Sequence, residues 1–229
     1  MSKLPSLEEM LNAGMHFGHR TSSWHPKMEP FIFTSRKGVH ILDLSKTRES
    51  LKEALDFLTK LVSEGKVVLF VGTKNQAKGP LKNLAEEVKM PYVTNKWIGG
   101  LLTNFPIVKK SIKKYNDLLT EKESGKLEKY TKKEQLEFDK EIERLEEKFG
   151  GVAELKKMPD ALFVWDIKTE KIAVEEARRR NVPVVGVCDT NSNPDLVNYP
   201  IPCNDDATKT IKLVLDLVKQ TVEEAQARK

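Results

Sequence analysis

Three short apolar runs, Val67-Val68-Leu69-Phe70-Val71, Ala161-Leu162-Phe163-Val164-Trp165 and Val184-Val185-Gly186-Val187-Cys188, constrain this 229-residue chain more than any other feature. None alternates apolar with polar residues. Each therefore reads as a strand buried on both faces, and such strands belong to parallel sheets covered by helices. The segments around them supply the helices. Ser45 to Glu64 carries Leu51, Leu55, Leu58 and Val62 on one face and ends at Gly65; Lys74 to Lys89 and Thr169 to Asn181 repeat the pattern. Asp205 to Ala225 adds a last helix through Ile211, Leu215 and Val218, with Asp205 expected as its cap and Asp206 in its first turn. The expected class is an α/β parallel sheet flanked by helices, preceded by a hairpin over Phe31 to Leu44 that turns at Lys37-Gly38.

An insertion breaks this rhythm. Phe105, Val108, Ile112, Tyr115 and Leu119 advance by steps of three and four, as do Phe138, Ile142, Leu145 and Phe149 beyond Ser124-Gly125. This spacing predicts an antiparallel coiled-coil helical hairpin over residues 105–149, inserted into a globular α/β domain of residues 1–104 and 150–229. Its first arm carries Lys109, Lys110, Lys113 and Lys114, and its second Glu141, Glu143, Glu146 and Glu147. Two readings stand: a solvated face stitched by ion pairs, or lysines that hold phosphates while the acidic arm faces water or a protein.

Charge bears on the partner. With 39 Lys and Arg against 34 Asp and Glu, the formal net charge is +5 and the pI about 9.0, which favours a polyanion. No stretch approaches the roughly 20 apolar residues of a membrane span, and no signal-peptide pattern opens the chain, so a cytoplasmic location and no membrane partner are expected. Cys188 and Cys203 have no metal-ligand spacing and fit a reducing compartment.

Ligands of doubly wound sheets sit beyond the carboxyl ends of the strands. Gly72-Thr73-Lys74 after the first run lacks both the dinucleotide fingerprint and the phosphate loop. Asp166, Asp189 and Asp195 follow the other two runs. An enzyme would have to combine them with His16 or His19 as acid or base, since no histidine follows His40. The segment Asp189-Thr-Asn-Ser-Asn-Pro-Asp195 is also plain turn chemistry. His16 and His19, with Asp189, Asp195, Asp205 and Asp206, form a second option, a structural divalent ion held by mixed nitrogen and oxygen ligation.

Two segments point elsewhere. His16-Phe17-Gly18-His19-Arg20 and Asn95-Lys96-Trp97-Ile98-Gly99-Gly100-Leu101-Leu102-Thr103-Asn104 mix aromatic, cationic and amide side chains around glycines, a composition suited to RNA. Arg20, Lys27, Arg36, Lys37, Lys74 and Lys96 are candidate phosphate contacts; Asn95, Thr103 and Asn104 add hydrogen-bonding groups. Phe17, Trp24 and Trp97 would stack on bases or brace the loops. His16 and His19 join the candidate RNA set, as do Lys109, Lys110 and Lys113 on the hairpin.

These segments, with Trp24-His-Pro-Lys-Met28, Pro159-Asp-Ala-Leu-Phe-Val-Trp-Asp166, Asp189-Thr-Asn-Ser-Asn-Pro-Asp195 and Ile201-Pro-Cys-Asn-Asp-Asp206, stand in an order that resembles the bacterial small-subunit ribosomal protein S2 family. The resemblance runs from about Leu7 to about Val222. It implies a flavodoxin-like fold and a structural, non-enzymatic role in translation with no required cofactor and no small-molecule substrate. It further implies contact with small-subunit rRNA at the junction of head and body, and help in docking neighbouring proteins, including the mRNA-binding ribosomal protein built from OB repeats.

Overall fold

The computed structural model describes residues 4–227. An N-terminal portion contains α1 (Leu7–Asn12), then β1 (Phe17–Arg20), β2 (Ile32–Arg36) and β3 (Val39–Leu42). There follow α2 (Leu44–Ser63), β4 (Val68–Val71), α3 (Lys78–Glu87), β5 (Tyr92–Val93), α4 (Phe105–Glu123) and α5 (Lys132–Phe149). The chain closes with β6 (Ala161–Val164), α6 (Lys171–Arg179), β7 (Val184–Cys188), β8 (Tyr199–Pro202) and α7 (Thr208–Gln226).

The three apolar runs become the centre of a five-stranded, wholly parallel sheet of order β5-β4-β6-β7-β8. This order reverses between β4 and β6, which is the doubly wound, flavodoxin-like arrangement. Their lack of alternation has the expected cause. Val68 and Phe70 join a core with α2, α3 and α7, whereas Leu69 and Val71 join one with α4, α5 and α6. Successive side chains leave opposite faces of a strand, and here both faces are covered. The outer strands β5 and β8 escaped the sequence reading. β5 is two residues long, and β8 carries Pro200 and Pro202, which only an edge strand tolerates.

Helix limits shift inward from the sequence expectation, because α3 starts at Lys78 and α6 at Lys171. Asp205 does not cap the last helix. α7 begins at Thr208 with no side-chain cap, and the Asn204 side chain instead accepts hydrogen bonds from the amides of Asp206 and Ala207. In the inserted segment, Val108, Ile112 and Tyr115 of α4 and Ile142, Leu145 and Phe149 of α5 are buried together. Ion pairs Lys114–Glu141 and Lys122–Asp139 show that the two helices run in opposite directions.

The hairpin turn forms as expected. Lys37 and Gly38 take φ of 52° and 75°, the consecutive positive values of a two-residue turn that suits the twist of antiparallel strands. The third strand of this small sheet, β1, is the His16-Phe-Gly-His-Arg20 region itself, paired with β3. Among the described residues, no helix is long and apolar enough to cross a membrane.

Candidate nucleic-acid interface

The N-terminal arm is a docked element. Gly18 lies so close to Thr190 that a Cβ there would sit 2.5 Å from the threonine methyl. The amide of His19 donates to the Thr190 hydroxyl at 2.8 Å, and the amide of His25 donates to the Thr190 carbonyl at 2.8 Å. His19 Nδ1 stands 3.1 Å from Asp189 Oδ1. Hydrogen bonding to Asp189, helped by the charges of Asp189, Asp205 and Asp206, raises the His19 pKa against the opposing effect of burial. Burial lowers that of His16, whose ring packs on Phe17 at 4.0 Å.

Under the arm, at the carboxyl ends of the strands, Lys74 sits among carboxylates. Its Nζ lies 2.8 Å from Asp205, 2.7 Å from Asp206 and 3.6 Å from Asp166. Burial of this ammonium disfavours its charge, but the hydrogen bonds to Asp205 and Asp206 outweigh that, so its pKa is raised. Burial, with the like charges of Asp166 and Asp189, pushes Asp205 up to about 7 against the pull of Lys74. Glu170 accepts from the Thr73 amide at 2.7 Å, and its pKa is raised by burial. Asp166, at φ 63°, accepts from the amides of Lys168 and Thr169 and from the Thr169 hydroxyl, fixing the turn into α6. These carboxylates hold loops together. Lys74, a candidate phosphate contact by sequence, is already engaged inside the cluster.

Of the residues considered for a metal, His19, Asp205 and Asp206 bring one ligand atom each within 4.8 Å of the others, and Asp189 adjoins His19. His16 and Asp195 fall outside this group. Asp195 pairs instead with Lys27 at 2.9 Å. A divalent ion held there would compete with the Lys74 ammonium for the same oxygens.

The loop from Asn95 to Asn104 is organised by a residue the sequence reading missed. Glu176 of α6 is buried, and its carboxylate accepts five hydrogen bonds. They come from the Trp97 indole (3.0 Å), the amides of Gly100 (2.7 Å), Leu102 (3.1 Å) and Thr103 (3.1 Å), and the Thr103 hydroxyl (3.0 Å). Burial works against the charge, but these donors overcome it and lower the Glu176 pKa. Trp97 thus braces the loop, and the Thr103 hydroxyl is spent on Glu176. The Asn95 amide likewise donates to the Glu147 carbonyl of α5. A signal was present in the sequence: Glu176 interrupts the apolar face Ala173, Val174 and Ala177, where a carboxylate needs partners.

What remains free faces water. Arg20, Arg36, Lys37 and Lys96 are exposed, as are Asn104, Lys110 and Lys113, while Lys109 donates to the Lys156 carbonyl. Phe17 and Trp24 are 49% and 37% exposed, and Trp24 packs on His40. Phe33 on β2, beside the Arg36-Lys37 turn, is 73% exposed and was not anticipated. The β1-β3-β2 sheet therefore presents rings and cations together, a surface fit for stacking and phosphate contact.

The family model described as Ribosomal protein S2 matches residues 10–225. The small ribosomal subunit protein uS2 of Coprothermobacter proteolyticus is 47% identical over 221 residues, covering 96% of this chain and 82% of the relative. That of Roseiflexus sp. is 44% identical over 227 residues, 99% of this chain and 87% of the relative. That of Helicobacter hepaticus is 46% identical over 222 residues, 97% and 84% respectively.

Proposed function

This chain belongs to the ribosomal protein S2 family, structural constituents of the small ribosomal subunit rather than enzymes, and on that premise we propose that its N-terminal arm lies on small-subunit rRNA. The observation that carries this reading is the exposed set of Arg20, Arg36, Phe17 and Phe33 on a small sheet, with Lys37 in its turn and Trp24 in the connection between β1 and β2, anchored to the globular domain through Thr190 and His19. Anchoring matters because a preordered surface does not lose loop entropy on binding. The loop held by Glu176 offers Lys96 and Asn104 as a second contact, and Lys109, Lys110 and Lys113 on α4 a third. Contacts so far apart fix the orientation of the protein at the head–body junction. The acidic arm α5 is then left for neighbouring proteins, the OB-repeat mRNA-binding protein among them. The carboxyl-end carboxylates act as internal ties, and a divalent ion beside His19, Asp205 and Asp206 would strengthen those ties without taking part in any reaction.

Sucrose-gradient sedimentation of a lysate tests the reading. The chain is expected in small subunits and whole ribosomes in the cytoplasm, and it should dissociate as salt rises. Confinement to the light fractions would overturn it. Replacing Lys109, Lys110 and Lys113 by Ala should flatten the salt dependence of rRNA binding by about 0.7–0.9 in log–log slope for each phosphate no longer neutralised. An unchanged slope removes α4 from the RNA-binding surface.

A further inference from the structure

The two edges of the parallel sheet carry opposite charge. At the carboxyl ends of the strands lie Asp166, Glu170, Asp189, Asp205 and Asp206, with Lys74 and His19 engaged among them. At the amino ends the balance inverts. The segment entering β6 carries exposed Lys156, and the segment entering β7 carries exposed Arg178, Arg179 and Arg180. β6 and β7 are hydrogen-bonded neighbours, and the Leu162 amide donates to the Pro183 carbonyl, so the two segments enter the sheet side by side at one edge. Lys109 of α4 donates to the Lys156 carbonyl at 2.9 Å and extends this strip to the inserted helices.

None of Lys109, Lys156, Arg178, Arg179 and Arg180 has a carboxylate partner among the described residues. Of the nearby acids, Asp160 pairs with Lys157, Glu175 with Lys171, and Glu176 holds the loop, which leaves exposed Glu154 as the one acid of this segment that no ion pair engages among the described residues. A cation at a helix C-terminus is favourable, and one arginine at the end of α6 would serve that purpose. Arg178 and Arg179 point about 100° apart around the axis and Arg180 follows as the C-cap, so the three cannot all interact with the same terminal carbonyls. All three are exposed and unpaired, so they stand open to anions from outside. Guanidinium groups grip phosphate through two parallel hydrogen bonds, which suits a nucleic-acid backbone.

We propose that the amino edge of the sheet, from Lys109 through Lys156 to Arg178, Arg179 and Arg180, is an RNA-backbone binding strip that continues the α4 lysines onto the globular domain. This rests on the RNA-binding reading above and adds a surface to it. The test uses the full chain and small-subunit rRNA transcribed in vitro, with binding measured across a salt series. Wild type is compared with R178Q/R179Q/R180Q and with R178K/R179K/R180K, and thermal melts verify that each variant is folded. The Gln variant should lower the log–log salt slope by about 0.7–0.9 for each arginine that neutralises a phosphate, and the Lys variant should keep a slope near wild type. A Gln variant that melts like wild type and binds with an unchanged slope overturns the strip while leaving the RNA-binding reading intact. A wild-type chain that binds with no salt-dependent affinity overturns both. Lower affinity of the Gln variant with an unchanged slope also counts against the strip, because a surface that neutralises fewer phosphates must release fewer counterions.

Discussion

Replacing Glu176 by Gln should unfasten the Trp97–Thr103 loop. Glutamine keeps the shape and one carbonyl oxygen, enough for the Trp97 indole and the Gly100 amide. It turns an NH2 toward the amides of Leu102 and Thr103, which now face a donor. Thr103 is exposed and can recover water, but Leu102 is fully buried. An unpaired buried donor costs about 1–3 kcal/mol, and loss of charge from the remaining bonds adds about 1 kcal/mol, so the expected destabilisation is about 2–4 kcal/mol. Urea unfolding measures it, and amide exchange at Gly100, Leu102 and Thr103 localises it. The effect must also depend on pH. The folded-state pKa of Glu176 is lowered, so its contribution is present above the unfolded value of 4.5 and is lost as pH falls through the folded value. The gap between wild type and E176Q should therefore narrow in acid. A variant within about 0.5 kcal/mol of wild type, or a gap that is constant from about pH 6 to about pH 3, would refute the reasoning.

Other perturbations probe the arm and the carboxylates beneath it. Lys74→Met leaves buried Asp205 without its cation and should cost about 3–5 kcal/mol at alkaline pH. Because the Asp205 pKa is raised to about 7, its burden on stability grows as pH rises from 3.8 through 7, so urea melts should show a smaller loss below 7 than above it; an equal loss on both sides rejects this. Gly18→Val should push β1 off Thr190, seen as faster proteolytic cleavage between α1 and β2 with little change in the parallel sheet; unchanged cleavage would count against the docking. The raised His19 pKa contributes stability fully present below the unfolded value of 6.5 and lost as pH rises through the folded value. His19→Gln should remove that dependence, checked by melts above and below 6.5, and a retained dependence assigns it to another group.

Local pattern sufficed wherever burial imposes a period. Unbroken apolar runs marked the three central strands, three-and-four spacing marked α4 and α5, and two residues able to take positive φ marked the turn at Lys37-Gly38. Each signal is written within some twenty consecutive residues, because neighbours on one face of an element share one environment. The candidate interface was legible as composition but not as geometry. That Trp97 braces its loop depends on Glu176, 79 residues away in the chain, whereas Phe17 and Trp24 stay open. Lys74 leaves the set of free cations only because Asp205, 131 residues away, folds against it. β1 took its partner from β3, and the edge strand β8 was hidden by its prolines. The sequence by itself determined the three central strands, the helices from α2 to α7 and that the chain is a basic α/β protein. Only the tertiary structure decided which charges are neutralised inside and which are presented outside, since ion pairs and buried hydrogen bonds between distant segments impose no periodicity on the chain that makes them.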